Sequence, residues 1–581
     1  MSRVPIADRI RLSWRLPRRQ LRHVVGRVAS HQLTGLPGKA DRLVIAPQDL
    51  RTADPTRASE IYAGRFAFAG KIVVCDGRSP FEMMAPSDEW AEVLLGFGWL
   101  RHLRAAESNI TRANARALVD EWITLQGSWH GFAWRPEIIS RRVISWLSQA
   151  PLILNEAGVR FYRRLLRNLT RQVRYLRRTA GDARDGVPRL QARIALTYAA
   201  LCMASQFRHL GTASRHLVDE LQRQILADGG HISRNPGALI ELLLDLLPLN
   251  QAFTTRNVQP PAGLLNAIDR MMPMLRFFRH GDGNFALFNG MGPTSPDLIA
   301  TILAYDDARG TPLANAPHSG YQRIEAGEGL VLVDTGRPPP IEMSGEANAG
   351  CLSFEFSFKH QRIVVNCGLP ATGRENWRQV ARATAAHSTV TFNDASSCRF
   401  IDSGMLKRLF GAPIVDGPTE VPVARDVRDQ ATVLRASHNG YGERFGVVHQ
   451  RTLLLHAAGT RLDGEDVFIP TVGDMLPNNA RDEFAVRFHL HPSVRTNMLS
   501  DGRGVMLTMP NRDVWTFNAH EDEVVIEESV YLASPEGPRR TVQLVIYGRA
   551  RKAPRVVWTF TQMPQPPAGA RNRRGLDAPP L

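Results

Sequence analysis

The hydrophobic period of the chain changes once, near residue 280, and that change restricts it to a two-part architecture. From about Trp90 to that point, apolar residues recur every three or four positions in AEVLLGFGWLRHLRAA, ANARALVDEWITLQ, PEIISRRVISWLSQ, GVRFYRRLLRNLTRQVRYLRR, LQARIALTYAALCMASQF, ASRHLVDELQRQILADGG, PGALIELLLDLLPL and PAGLLNAIDRMMPMLRFFR. That spacing stripes one face of a helix, and the short Gly/Pro-bearing turns between segments favour antiparallel helical hairpins. Beyond it, alternation takes over in GLVLVDTG, LSFEFSF, RIVVNCG, STVTFND, RTLLLHAAG, EFAVRFHLHP, GVMLTMP, DVWTFNAH, VVIEESVYLAS, TVQLVIYGRA and RVVWTFTQM. Helices followed by strands predict an α+β multidomain chain. We divide it into a basic arm and mixed segment (1–85), a helical domain (86–280), an antiparallel β-sandwich domain (281–563) and a Pro/Gly/Arg-rich tail expected to be disordered (564–581). Within the first part, RFAFAGKIVVCD predicts a short β element.

Charge narrows the partners. Lys and Arg number 72 against 56 Asp and Glu, a net charge of +16, which attracts polyanions as a class. Interleaved aromatics and helix-turn-helix spacing are absent, so no nucleic-acid partner is expected. The five cysteines are scattered without a CxxC pair, which indicates neither a zinc site nor a disulfide framework. No apolar run reaches the length of a membrane span, and the arginine-rich N-terminus lacks the apolar centre of a secretory signal. It reads either as a basic surface arm or as a weak contact with an anionic membrane surface. The sequence leaves cytoplasm and envelope open as compartments, and oligomeric state with them.

In GVRFYRRLLRNLTRQVRYLRR, Arg160, Arg164, Arg167, Arg171, Arg174 and Arg178 stack along one helical face, opposite Phe161, Leu165, Leu169, Val173 and Leu176. A solvated outer face and an anion-binding ridge both fit this pattern.

The hairpin LSFEFSFKHQRIVVNC is expected to pair Phe356 with Ile363, Phe354 with Val365 and Leu352 with Cys367, because a one-residue slip sets phenylalanine against Arg362 and Val364. That register places Asn366 beside Ser353 and Glu355, and Cys351 and Cys367 on opposite faces. The open end, Glu346 to Asn348 with Asn366, is then one neighbourhood.

The order HISRNP, LSFEF, RIVVNCG, RATAAHSTVTFND, RFHLHPSV and VVIEESVYL resembles the heparinase II/III family of polysaccharide lyases, from about Trp90 to Met563. The resemblance implies an incomplete α/α toroid of helical hairpins followed by a layered antiparallel β-sandwich. It also implies β-elimination on an acidic, uronate-containing polysaccharide in the cleft between them. That chemistry needs a group that neutralises the uronate carboxylate, a base for the C5 proton and an acid for the departing O4. Relatives commonly carry His-x-His-x-Asp before the Phe-rich strand, where this chain has Glu346, Asn348 and Gly350. A typical Asp is Asn366, a Tyr-His pair is Ala238 and Leu239, and a neutralising Asn is Val187. We therefore expect no bound zinc and no cofactor.

The candidate catalytic residues are His387, retained from the family's site, with Glu346 as a base and His231 in the ADGGHISRNP turn. Candidate substrate-binding residues are Asn348, Arg234, Asn366, Arg382 and Trp134, the last as a stacking platform beside His130. His489 and His491 in HLHP share a face without a third ligand and read as structural. Two functions stay open: a lyase, and a non-catalytic glycan-binding or cell-envelope scaffold protein that has lost the family's tyrosine and zinc ligands.

Overall fold

The computed structural model describes residues 41–564 except 128–130, 306–309, 371–374, 402–411, 429–430, 474–475 and 477–480. The basic arm up to residue 40, His130 and the tail from residue 565 therefore lie outside the described residues. The predicted element RFAFAGKIVVCD is a hairpin, with Arg65–Phe68 paired to Lys71–Val74.

The helical part reads much as its periodicity dictates, with informative departures. AEVLLGFGWLRHLRAA is two helices, Asp88–Gly96 and Leu100–Ala105, because Phe97 sits in the left-handed region at φ 58° and closes the first. Ser87 caps that helix from its N-terminal side, and Ser108 with Thr111 forms a capping box on Asn109–Gln126. Gly237–Thr255 runs through Pro248, since Leu246, Leu247 and Leu249 around the proline are all held in the core. Helix persists past residue 280, to Pro296–Leu303.

Two antiparallel sheets follow. The nine-stranded sheet runs Val525–Tyr531, Arg539–Arg549, Glu483–Leu490, Gln361–Val365, Phe354–Phe358, Gly329–Asp334, Tyr321–Ala326 and Asn315–Ala316, with Val390–Phe392 also paired to Glu483–Leu490. The eight-stranded sheet runs Val423–Arg428, Ala431–Tyr441, Val447–Leu455, Arg461–Pro470, Arg555–Gln562, Val514–Asn518, Gly504–Thr508 and Arg495–Met498. Between them Phe354 stacks on Trp558 at 5.5 Å, and Phe356 meets Trp515 edge-on at 5.3 Å. Arg461–Pro470 passes this layer only because residue 464 is glycine: a Cβ there would lie 2.0 Å from the Trp558 ring.

The other face of the nine-stranded sheet belongs to the helical domain. In Gly329–Asp334 every residue is buried: Val331 and Val333 join the sandwich core, while Leu330 and Leu332 join the helical core. The hairpin register corrects the sequence reading in part. Ser357 pairs with Arg362 and Phe358 with Gln361, but the expected pairing of Phe356 with Ile363 does not form: a bulge sets Phe356 opposite Val364, the partner the sequence reading excludes. The bulge lets both Ile363 and Val364 bury on the inner layer. Asn366 still lands beside Glu355, and all five cysteines are unpaired and buried, Cys351 and Cys367 in separate apolar clusters.

The seam between helices and sheet is polar at its centre. Arg234, at φ 61° in the turn before Gly237–Thr255, forms an ion pair with Asp334 at the end of the buried strand. Its guanidinium also donates to the carbonyls of Ser319 at 2.7 Å, Arg337 at 2.9 Å and Gly320 at 3.0 Å, and lies 4.7 Å from the Tyr321 ring centre. Removing one partner of such a pair strands a buried charge. Asp334→Ala is therefore expected to lower unfolding stability by about 3–5 kcal/mol. Arg378→Ala, which breaks the exposed 3.8 Å contact to Glu346, should cost about 0–1 kcal/mol. Urea midpoints of the two variants check this ordering.

Candidate functional site

The seam gathers most of the candidate residues. Arg382 donates to the carbonyls of Ala347 and Ser344, each at 2.8 Å, and accepts from the Ala349 amide at 2.8 Å, so it fixes the segment that carries Glu346 and Asn348. Asn348 thereby reaches His387: its Nδ2 lies 2.9 Å from the histidine Nε2. His387 Nδ1 lies 2.8 Å from the Ala383 carbonyl, which can only accept. The ring is thus protonated at Nδ1, and its Nε2 lone pair takes the Asn348 amide. Burial, opposed in part by the Ala383 bond, lowers the His387 pKa and keeps the ring neutral.

The other candidates are equally engaged. Asn366 donates from its backbone and side chain to Glu355 Oε1 at 3.1 and 3.2 Å, while its own oxygen accepts from Ser388 N at 2.9 Å. Arg234 is held by the contacts above, and burial, which alone would lower its pKa, is outweighed by Asp334. His231 lies 2.8 Å from Gln224 Oε1 through Nε2 and accepts from Ser233 N at Nδ1. Burial, with Arg223 nearby, lowers its pKa to about 3. The Glu346 side chain points outward to Arg378. Trp134 stands apart, buried in the helical core with its indole N–H on the Gln126 carbonyl at 3.0 Å and its ring edge-on to Tyr175.

Several members of this network escaped the sequence reading. Asn289 donates to the Tyr321 hydroxyl at 2.7 Å and to Asp334 at 2.9 Å, and accepts from Asn348 N at 3.3 Å. Tyr321 donates in turn to the Arg234 carbonyl at 2.5 Å. His280 joins Glu355 at 3.0 Å and Ser357 at 2.9 Å, and the side chains of His280 and Glu355 are fully buried. One signal was available for Glu355 and Ser357: they alternate with three phenylalanines, which assigns them to a face of their own.

The open part of the cleft lies beside this network. A cavity of about 190 Å³ is lined by Asp185, Arg189, Arg223, Ile232, Pro340, Glu342 and Met343. Asp185 pairs with both Arg189 and Arg223, and Arg223 pairs further with Glu220, so the charges on that wall compensate one another. Nor does the seam suit zinc. Asn348 and Asn366 are neutral amides and poor zinc ligands beside His, Cys or a carboxylate, both His387 nitrogens are engaged, and among the described residues no three His, Cys, Asp or Glu side chains converge. His489 and His491 are likewise occupied, at 2.8 Å from Ser529 and 2.7 Å from Ser493.

Comparison with known proteins places this geometry. Residues 308–559 match the family model described as heparinase II/III-like, C-terminal. The chain is 33% identical over 555 residues to FtsZ-localized protein C of Caulobacter vibrioides, covering 94% of this chain and 91% of that one. Its fold is similar to that of heparinase III, with a TM-score of 0.71 at 12% identity, covering 93% of this chain and 89% of the other. It is also similar to a mutant heparan sulfate lyase from Pedobacter heparinus, with a TM-score of 0.62 at 16% identity over 88% and 84% of the two chains. A helical toroid on a layered β-sandwich, with the matching C-terminal model and a full-length relative, makes the chain a member of the heparinase II/III-like family.

Proposed function

We propose that the protein is a non-catalytic scaffold built on the lyase fold, acting with the FtsZ-based division apparatus. The observation that carries this reading is the closed pair of His387 and Asn348: the one histidine retained from the family's site is buried, neutral and hydrogen-bonded at both nitrogens. A general base works best with a pKa near the operating pH and a free lone pair within reach of substrate. His231 has neither, with a pKa lowered to about 3 by burial. Tyr321, the tyrosine of the seam, has its hydroxyl bound on both sides and its pKa raised by burial. The FtsZ-localized relative supplies the setting, and its similarity runs through both domains.

The second reading, a lyase acting on an acidic polysaccharide, draws on one observation: His387 and Asn348 meet at the domain seam, where the fold's cleft lies, and Asn348 Oδ1 is buried with no partner among the described residues. Incubation with a panel of uronate polysaccharides separates the two, read by absorbance of the unsaturated product. We expect no product from any of them, and co-sedimentation of the protein with FtsZ polymers. Product that disappears in His387→Ala would overturn the scaffold reading, as would a failure to sediment.

The buried histidines also set a pH dependence. His231, His489 and His491 are each lowered to about 3, burial being the largest cause in every case. Their folded values lie below the unfolded value of about 6.5, so the unfolded chain takes up protons first. Their contribution is complete above that value and is lost as pH falls towards 3. Between pH 6.5 and 5.5 each should cost about 1 kcal/mol of stability, about 3 kcal/mol together. Urea unfolding at the two pH values reads this dependence, and His231→Gln should reduce it by about 1 kcal/mol.

A further inference from the structure

The helix Val159–Thr179 carries eight arginines and no Asp, Glu or Lys. Surface helices ordinarily alternate charges so that neighbours three and four apart attract, whereas like charges at that spacing destabilise the helix. Asn109–Gln126 and Leu210–Gln224 follow the ordinary pattern, mixing Arg with Asp and Glu. In the arginine helix Arg164 meets Asp120 at 2.9 Å, Arg171 donates to the Gly127 carbonyl at 3.3 Å and Arg177 reaches Gln206 at 3.4 Å. Arg160, Arg163, Arg167, Arg174 and Arg178 are exposed, and among the described residues no carboxylate lies within ion-pair distance of them. Burial, with crowding by Arg174, Arg208 and Arg178 added, lowers the pKa of Arg177.

We propose that this row is a docking ridge for an extended, acidic polypeptide segment; that the partner is a protein rests on the scaffold reading above. From Arg160 to Arg178 the row spans about 27 Å, with about one guanidinium per 5.4 Å turn. An extended peptide of about eight residues covers that length, and its alternate side chains fall on one side at intervals of about 7 Å. The carboxylate interval of about 7 Å exceeds the guanidinium interval of about 5.4 Å, a difference that the long arginine side chains can take up in forming charge-assisted pairs.

Other anions fit less well. A lipid surface recruits an amphipathic helix by burying its apolar face, but here Leu165, Leu169, Val173 and Leu176 are already spent in the helical core. A flat anionic surface would also press against Asp120 and the exposed Glu156 on the flanks of the row. Sugars and bases are gripped by exposed aromatic rings, whereas Tyr175 of this helix and Trp134 against it are buried. Asp41, where the described chain begins, accepts from Ser205 N at 2.9 Å and from Thr170 of this helix at 3.4 Å. The described chain therefore begins beside the ridge.

The test is fluorescence anisotropy of the full-length protein with a labelled poly-glutamate peptide. Phosphatidylglycerol vesicles and heparin oligosaccharides serve as competing arms. In Arg160→Gln/Arg167→Gln/Arg174→Gln, whose fold is checked by circular dichroism, peptide affinity should fall about tenfold or more. Binding to the parent protein should weaken as salt rises. Unchanged peptide binding in the triple variant overturns the proposal, as does preferential binding of vesicles or heparin. FtsZ co-sedimentation distinguishes the two readings. Sedimentation of parent and variant alike removes the ridge and leaves the scaffold. No sedimentation of the parent, with peptide binding still lost in the variant, leaves the ridge and removes the scaffold.

Discussion

The ion pair between Arg234 and Asp334 is the constraint on which both halves of the molecule depend. A guanidinium and a carboxylate withdrawn from water are stable only if their remaining donors and acceptors are also met. Here three backbone carbonyls, Asn289 and the Tyr321 ring meet them. Asp334 ends a strand buried on both faces, and Arg234 opens a buried helix, so the pair can persist only while toroid and sheet are docked. The same docking decides the chemistry. An arginine at this seam could hold a uronate carboxylate only if its fork faced the cleft, and its fork faces the protein.

Much of this was legible before any coordinates, because the change from period 3.6 to period 2 is a property of which residues must be buried. The gaps have physical causes. Ala431–Tyr441 and Arg461–Pro470 are both interior strands of the eight-stranded sheet, yet neither reads as a strong apolar alternation. Along Arg461–Pro470 the inward positions are Leu462, Gly464, Asp466 and Phe468. The glycine leaves room for Trp558, and the aspartate is met by Arg451, His449 and the Trp558 indole. A pattern of hydrophobicity cannot register an inward residue chosen for a ring's clearance or for a buried charge. The bulge at Ile363 is hidden similarly, since an Ile-Val-Val run satisfies either register until the partner sheet decides.

The site was legible as a neighbourhood and illegible as a state. Family order brought Asn348, Asn366, Arg234, Arg382 and His387 to one seam, and all five are found there. Whether such residues face a substrate or one another depends on Asn289, Tyr321, Asp334, Glu355 and His280. These come from separate segments and carry no motif of their own. Trp134 shows the same limit in the helical domain: an aromatic ahead of a helix is equally a platform or a core residue until its neighbours are known.

The amides at positions 348 and 366 have a further logic. A buried neutral histidine protonated at Nδ1 needs a donor at Nε2, and a metal ion or an N–H group can supply it, whereas a carboxylate cannot. Asn348 supplies that donor. At 366 the side chain must accept from Ser388 N and also lie against Glu355. An aspartate there would set two carboxylates together, which needs a cation or a shared proton between them. Asparagine accepts with its oxygen and donates with its nitrogen, so the contact becomes a hydrogen bond. Each amide thus does locally what a bound cation would otherwise do. The two together let the seam close around His387, with both of its ring nitrogens hydrogen-bonded, while the lyase architecture is retained.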